Sequence, residues 1–302
     1  IQKDISSVSK IIFVDDHSTD STRKNINNWI SKQDLNCESL FLDKYHGKKR
    51  AIDLGVQNSF SEFVMIMDAD ISFKDVFFAS IKKSIDLNYD LYLTAVVEKN
   101  GIVWSRILSY SVSVISIGMA NIGIPILANG AGLIFRRKSY NELMPFNSNF
   151  NISSGDDMFL LNSFLSNKRS IKTLFNSNLF IETQGSKDIQ DMVERSLRWS
   201  GKMKMKGLIT TKLVGLLVVI CNLLIIPLTA LSVFKFQWLF FLLKLLPDLL
   251  VVIIGSFFYK ENKLWKYSLP MFLLYPLILV LIILLQATKY KVKWKERDLL
   301  NI

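Results

Sequence analysis

The stretch IIFVDDHSTDST, residues 11–22, joins a short apolar run directly to two neighbouring carboxylates. The run is rich in β-branched residues and is followed by small polar ones, a pattern that predicts a buried strand over residues 11–14. Asp15 and Asp16 would then stand at the carboxyl end of this strand. Adjacent like charges are costly unless a cation or hydrogen-bond donors face them, so this strand end is a candidate binding site.

Strand and helix signals alternate through the rest of the first half. Apolar runs predict further strands at 40–42, 63–67 and 91–97, and helical spacing predicts helices at 21–31, 48–59 and 74–86. This alternation indicates an α/β fold built on a doubly wound sheet. Ligands of such sheets bind at the carboxyl ends of the strands, where Asp68 and Asp70 also fall.

The second half is typical of a membrane domain. Residues 213–234 and 267–288 contain no charge, and 236–259 is almost as apolar. Each of these stretches is long enough to cross a hydrocarbon core of about 30 Å. We therefore predict a first domain over 1–205 and a membrane domain over 206–302 with two to three hydrophobic helices and a basic C-terminal tail.

Basic residues flank these apolar stretches and account for much of the net charge of +11. Clusters at 195–212 and 289–297 suit anionic lipid headgroups, so we expect a lipid bilayer as partner and no nucleic acid. The positive-inside rule places both clusters in the cytoplasm, which requires an even number of crossings between them. The weaker apolar region 107–134 is interpreted as helices packed near an acceptor site rather than as a span.

Two motifs of the first half carry further candidate chemistry. VMIMDADISF places Asp68 and Asp70 one residue apart past a strand, where two carboxylates can hold a divalent cation that bridges a diphosphate. HGKKRAIDLG offers Gly47 and Lys48 before a helix, a setting that suits phosphate or a nearby carboxylate. The two histidines, in contrast, are interpreted as polar loop residues.

Two further motifs lie towards the membrane half. SGDD places Asp156 and Asp157 in the first turn of a helix, where they either cap the helix or act on an acceptor hydroxyl. RSLRW places Arg198 and Trp199 before the first apolar stretch. They suit a lipid interface, a substrate channel or both.

Six motifs in this order, VDDHSTD, GKKRA, MDAD, NGAGLIFRR, SGDD and RSLRW, resemble those of family 2 glycosyltransferases with a GT-A (Rossmann-like) fold, of the membrane-anchored bacterial kind. The resemblance covers about residues 11–201. It implies an enzyme of the hexosyltransferase type in the bacterial inner membrane, multi-pass, with its catalytic domain facing the cytoplasm. It also implies inverting transfer of a sugar from a nucleotide diphosphate sugar to a hydroxyl on a glycan or lipid-linked acceptor.

The resemblance assigns roles to the motif residues. Asp157 would be the catalytic base, and Asp70, with Asp68, would hold Mg²⁺ or Mn²⁺. The nucleotide and substrate would be bound by Asp15, Asp16, Gly47, Lys48, Asp68, Asp156, Arg198 and Trp199.

Some positions depart from the family pattern. Arg195 stands where the RSLRW motif usually begins with Gln, and Asp53 stands where Asn is frequent. The family's first strand is not found before residue 11, so we expect an N-terminally truncated chain. Two alternatives stay open: a polyprenyl-phosphate glycosyl transferase, which needs no general base, and a non-catalytic membrane scaffold that retains the fold.

Overall fold

The structure is a computed structural model that describes residues 7–152, 154–202, 209–230 and 237–288, together with the backbone at 293–294 and 297–298. The chain forms two compact units. The first comprises Ile1–Ala95 and Ala128–Ile181, and the second comprises Val96–Leu127 and Glu182–Ile302.

The elements follow one another along the chain in this order: β1 Ile11–Asp15, α1 Thr22–Ile30, β2 Cys37–Phe41, α2 Lys48–Gln57, β3 Phe63–Met67, β4 Ile71–Ser72, α3 Phe77–Ser84, β5 Leu91–Thr94, β6 Val96–Lys99, α4 Val103–Asn121, β7 Gly132–Arg136, α5 Arg137–Leu143, α6 Asp156–Ser166, β8 Ile171–Leu174, β9 Ile181–Gln184, α7 Ile189–Lys202, α8 Ile209–Ala230, α9 Gln237–Phe258, a 3-10 turn Leu264–Tyr267, α10 Ser268–Ala287, β10 Lys293–Trp294 and β11 Arg297–Asp298.

The first unit begins with a β–α–β arrangement. Strands β1 and β2 pair in parallel with Ile11 opposite Cys37, and α1 connects them. Phe13 on β1 meets the ring of Trp29 on α1 edge to face, with 5.5 Å between centroids. This contact places the apolar side of α1 against the strand pair. The two strands and the helix predicted here, at 11–14, 40–42 and 21–31, are confirmed to within a few residues.

Four strands form the central sheet of the first unit in the order β3-β7-β5-β8. Strand β7 is antiparallel to both neighbours, whereas β5 and β8 are parallel. The sheet is therefore mixed, and it belongs to the α/β fold that the alternation of strands and helices predicts. Buried side chains of Leu91, Tyr92, Leu133 and Phe135 fill its centre.

The predicted strand at 91–97 is two strands, β5 and β6, separated at Ala95. Both are buried for almost their whole length. A continuous apolar run records burial but not a change of partner strand, so the pattern could not reveal the break. The break also coincides with the boundary between the two units.

Among the described residues of the second unit, three helices are long and apolar enough to cross a membrane: Val103–Asn121, Trp238–Phe258 and Leu264–Ala287. The last two confirm the predicted stretches 236–259 and 267–288 as apolar helices. Most of the first, α4, lies in the region 107–134 and meets the length and composition of a span. The interpretation of that region as helices packed near an acceptor site stays a prediction.

The remaining predicted span, 213–234, corresponds to α8, whose apolar part within the described residues is the shorter Ile209–Ile225. Residues 231–234 of that prediction lie outside the described part of the chain. Helix α7 packs on α10 through the buried Val193, Leu197 and Ile282. The predicted functional boundary at residue 205 stays a prediction.

Candidate active site

Lys48 is the centre of a charged cluster in the first unit. It is the first residue of α2, and its Nζ donates a hydrogen bond of 2.6 Å to Oδ1 of Asp68. The same nitrogen lies 3.2 Å from Oδ2 of Asp156. Burial alone would lower the pKa of Lys48, but the charges of Asp156 and Asp68 outweigh it and raise the pKa above its ordinary value. Lys48 is therefore a permanent cation that joins two distant segments.

Asp68 stands directly past β3, as the sequence predicts, and Asp70 follows in the turn to β4. Burial raises the pKa of Asp68; Lys48 opposes this, and the charges of Asp156 and Asp70 add to it. The carboxylates thus form a negative cluster that one lysine only partly offsets. Carboxylate oxygens are the donors that Mg²⁺ and Mn²⁺ prefer, so these residues fit the predicted metal.

Asp156 and Asp157 form the first turn of α6, in agreement with the sequence. Both are buried. Oδ1 of Asp157 accepts a hydrogen bond of 2.8 Å from the Met158 amide, and Oδ2 accepts one of 3.3 Å from the Gly130 amide. A carboxylate at a helix N-terminus is stabilised by the helix dipole. This turn therefore holds Asp157 as an oriented anion beside the Lys48 cluster.

Gly130 closes this cluster and was not among the predicted site residues. A Cβ atom at this position would lie 2.6 Å from Oδ2 of Asp156 and 3.1 Å from Nζ of Lys48. Only glycine lets the backbone approach both charged groups so closely. The motif NGAGLIFRR contained the signal, but the neighbours of its glycines depend on how α2 and α6 pack.

The end of β1 has a partner that the sequence analysis did not identify. Arg23, on α1, donates a hydrogen bond of 2.7 Å from Nε to Oδ2 of the buried Asp15. Burial alone would raise the pKa of Asp15, but hydrogen bonds from Ser18 and Arg23 outweigh it and lower the pKa. The neighbouring Asp16 accepts a bond of 3.1 Å from the Gly47 amide. Adjacent carboxylates are thus tolerated because different donors face each one.

Lys49, next to Lys48, is a second buried cation. Its Nζ donates to the backbone carbonyls of Asn149 and Ile152 at 3.0 and 2.9 Å, and lies 4.1 Å from the centre of the Phe159 ring. Burial lowers the pKa of Lys49 to about 8. Lys48 and Lys49 therefore have different surroundings, and we assign Lys49 to holding the segment before α6.

Arg198 and Trp199 lie on α7, in the second unit. Burial, together with the charge of Arg195, lowers the pKa of Arg198. Arg195, which replaces the family's usual Gln, lies 2.8 Å from the buried carboxylate of Glu98 within the same unit. The substrate roles of Arg198 and Trp199 stay predictions.

The chain was compared with known proteins. The family model described as glycosyl transferase family 2 matches residues 4–153. This match includes the ends of β1 and β3 and the start of α2, and it stops just before the acidic pair of α6. No curated protein matches the chain.

Several solved structures match the chain at low sequence identity. The mannosyltransferase PcManGT from Pyrobaculum calidifontis, in complex with GDP-Man and Mn²⁺, is 13% identical, with 88% of this chain and 77% of that chain covered and a TM-score of 0.49. For TarS 1–349 from S. aureus in complex with UDP, the identity is 14%, the coverage is 99% and 92%, and the TM-score is 0.45. Glucosyl-3-phosphoglycerate synthase from Mycobacterium tuberculosis, in complex with Mn²⁺, UDP and phosphoglyceric acid, is 14% identical. The match covers 65% of this chain and 66% of that chain, with a TM-score of 0.43.

The family match and the fold agree with the motifs that the sequence places in order. The matched residues include Lys48, Asp68 and Asp70, and they fold into a mixed α/β domain of GT-A type. This chain therefore belongs to glycosyl transferase family 2.

Proposed function

We propose that this protein is a membrane-bound, inverting glycosyltransferase that moves a sugar from a nucleoside diphosphate sugar to an acceptor hydroxyl on a glycan or lipid-linked glycan. The observation that carries the proposal is the position of Lys48 between Asp68 and Asp156, with Asp157 in the same helical turn. This arrangement joins the candidate metal ligands to the candidate base.

The donor's diphosphate is the ligand that this cluster suits best. Asp68 and Asp70 would hold Mg²⁺ or Mn²⁺, and that cation, when bound, offsets negative charge on the leaving diphosphate. Lys48 begins α2, so its ammonium and the helix N-terminus would face the same phosphates. Asp15, Asp16 and Gly47 would contact the nucleoside, and Arg198 and Trp199 the substrate.

The reaction itself needs one base. Asp157 would take the proton of the acceptor hydroxyl while its oxygen attacks the anomeric carbon. The bond from that carbon to the diphosphate oxygen breaks, and the nucleoside diphosphate leaves with the bonding electrons. Because Gly130 and Met158 already donate to Asp157, its carboxylate is oriented before substrate binds.

The membrane would bring enzyme and acceptor together. Three helices in the part of the chain that the structure describes are long and apolar enough to cross a bilayer, and basic clusters flank apolar stretches of the sequence. We propose a multi-pass protein of the bacterial inner membrane with its catalytic domain towards the cytoplasm, where nucleotide sugars are made.

A screen of donors tests this function. The chain is purified in lipid nanodiscs and given a panel of UDP- and GDP-sugars with Mg²⁺ or Mn²⁺, and release of nucleoside diphosphate is followed. We expect turnover with at least one donor, lost on chelation of the metal and in Asp70→Ala. Absence of both turnover and binding for every donor would contradict the proposal and favour the non-catalytic scaffold.

A further inference from the structure

The only two histidines of the chain lie together against one carboxylate. Nδ1 of His17 lies 3.3 Å from Oδ1 of Asp16, and Nδ1 of His46 lies 3.5 Å from the same oxygen. The two rings have centroids 3.8 Å apart. Their positions in the sequence, on loops after β1 and before α2, gave no sign of this meeting, so their interpretation as separate loop residues is incomplete.

The backbone holds this cluster in place. His17 has a φ of +58°, in the left-handed region that few residues other than glycine adopt. Gly47, which follows His46, has a φ of +114°, and its amide donates to Oδ2 of Asp16. The carboxylate is therefore oriented by one oxygen while the other faces both imidazole rings.

The contact of His17 with the backbone fixes the role of one of its two ring nitrogens. Nε2 of His17 lies 3.0 Å from the carbonyl oxygen of Asp43. A carbonyl only accepts, so Nε2 carries a proton, and in the neutral ring Nδ1 then directs a lone pair at Asp16. Two acceptors facing each other at this distance are satisfied by a cation between them, either the proton of an imidazolium or a metal ion. An imidazole whose far N–H is fixed by a carbonyl is also the usual state of a metal-binding histidine.

We propose that Asp16, His17 and His46 form a second metal site, for a transition-metal ion of the Zn²⁺ class. Each residue offers one ligand atom, and these atoms all lie within 4.8 Å of one another. Bonds of about 2.0–2.2 Å in a tetrahedral arrangement place neighbouring ligand atoms roughly 3.3–3.5 Å apart. The two distances to Asp16 match that spacing.

The proposed site differs in chemistry from the carboxylates at the end of β3. Imidazole nitrogens favour Zn²⁺, Ni²⁺ and Co²⁺, whereas an all-oxygen donor set favours Mg²⁺ and Mn²⁺. Three protein ligands leave room for a water molecule on the ion. Because Asp16 also belongs to the proposed nucleoside contacts, we expect the metal and the nucleotide to change each other's affinity. That consequence rests on the proposed function, but the site itself does not.

Binding of Co²⁺ tests the site directly and without nucleotide. The chain, carrying no polyhistidine tag, is titrated with Co²⁺, and the visible absorption of the bound ion is followed and then displaced by Zn²⁺. We expect one bound ion per chain. His46→Gln and His17→Asn should weaken binding by about tenfold or more. Asn is chosen at position 17 because it tolerates a left-handed backbone.

Two controls distinguish binding at the histidines from binding at the carboxylates and from a loss of folding. Asp70→Asn should leave Co²⁺ binding unchanged, because its carboxylate lies after β3 and not in the histidine site. His46 is exposed, so its substitution should leave the melting temperature of the metal-free chain unchanged while removing the rise that Zn²⁺ causes in the wild type. Failure of the wild type to bind Co²⁺, or wild-type binding by both histidine variants, would overturn the proposal.

Discussion

The ammonium of Lys48 and the carboxylate of Asp68 lie 2.6 Å apart, and this ion pair connects the start of α2 with the end of β3. Asp156, in the first turn of α6, extends the pair to a third segment. One lysine thus joins three parts of the first unit that are distant in sequence. Both carboxylates favour the charged form of Lys48, and Lys48 favours the charged form of Asp68, whereas the charge of Asp156 disfavours it.

Replacement of Lys48 by Met should remove the cation that offsets Asp68 and Asp156. We expect kcat/KM for the sugar donor to fall by about 10²–10³, the usual loss when one group that stabilises a developing negative charge is removed. The melting temperature should also fall, because two carboxylates lose their partner. Steady-state kinetics and differential scanning fluorimetry measure both effects.

Lys44→Met is the matched control for Lys48→Met. Lys44 is exposed and lies four residues earlier in the chain. Its replacement removes the same charge without affecting the cluster, so activity should stay close to that of the wild type. Equal activity of the two variants would contradict the role of Lys48.

Substituting Asp156 and Asp157 one at a time should distinguish the roles of the two carboxylates of α6. Because Asp157 is the proposed base, kcat of Asp157→Asn should fall by about 10²–10⁴, while the variant retains its affinity for the donor. Asp156→Asn removes the charge opposite Lys48 and should instead weaken donor binding. Kinetics combined with a donor-binding titration distinguish the two outcomes.

The acidic pair also discriminates between the acceptor classes. A phosphate acceptor is already an anion and needs no base. Near-full activity of Asp157→Asn towards a polyprenyl phosphate would therefore contradict the assignment of Asp157 and favour that alternative.

Local signals predicted most of the candidate site. Asp68 and Asp157 could be placed because a strand end and a helix first turn are features of a few consecutive residues. The contact between Lys48 and Asp156 could not, because it depends on how α2 and α6 pack in the folded unit. The same limit applies to the two histidines, which meet only because both loops turn towards Asp16.

Strand direction and helix type were harder to predict. The apolar residues of β7 indicate burial, but they do not predict that the strand runs antiparallel to β3. Helix α4 contains several serines, which lowered its apparent suitability as a span. In the structure two of these serines have side-chain partners: Ser105 bonds to Glu98, and Ser113 bonds to Tyr259 at 2.6 Å.

Gly130→Ala should disrupt the cluster by steric contact. The new Cβ would stand 2.6 Å from Oδ2 of Asp156, closer than nonbonded atoms tolerate, so the carboxylate or the loop must shift. A shift of about 1 Å in a catalytic group can cost about 10²-fold in rate, and we expect a loss of this order in kcat/KM.

A second glycine provides the control for Gly130→Ala. A Cβ at Gly118, within α4, meets nothing within 4 Å. Alanine also favours helix more than glycine does, so Gly118→Ala should retain activity with equal or higher stability. Wild-type activity in Gly130→Ala would show that the close approach is unimportant.

The pH dependence of the free energy of unfolding should show that the pKa of Lys49 is lowered in the folded chain. Burial lowers its pKa to about 8 in the folded chain, against an ordinary value of 10.5. Between these two pH values the unfolded chain binds more protons than the folded chain, so the stability that this group contributes rises with pH. Below about pH 8 the lysine is charged in both states, and the cost of burying its charge is constant.

Comparison with Lys49→Met isolates this effect from all other titrating groups. Met cannot titrate, so the difference in melting temperature between wild type and Lys49→Met should increase in favour of the wild type from about pH 8 to 10.5. Above about pH 10.5 the variant should be less stable than the wild type, because the carbonyls of Asn149 and Ile152 lose their donor. Lys32→Met, at an exposed position, should show a difference that does not change with pH. A flat difference for Lys49→Met as well would mean that its amino group is solvated in the folded protein.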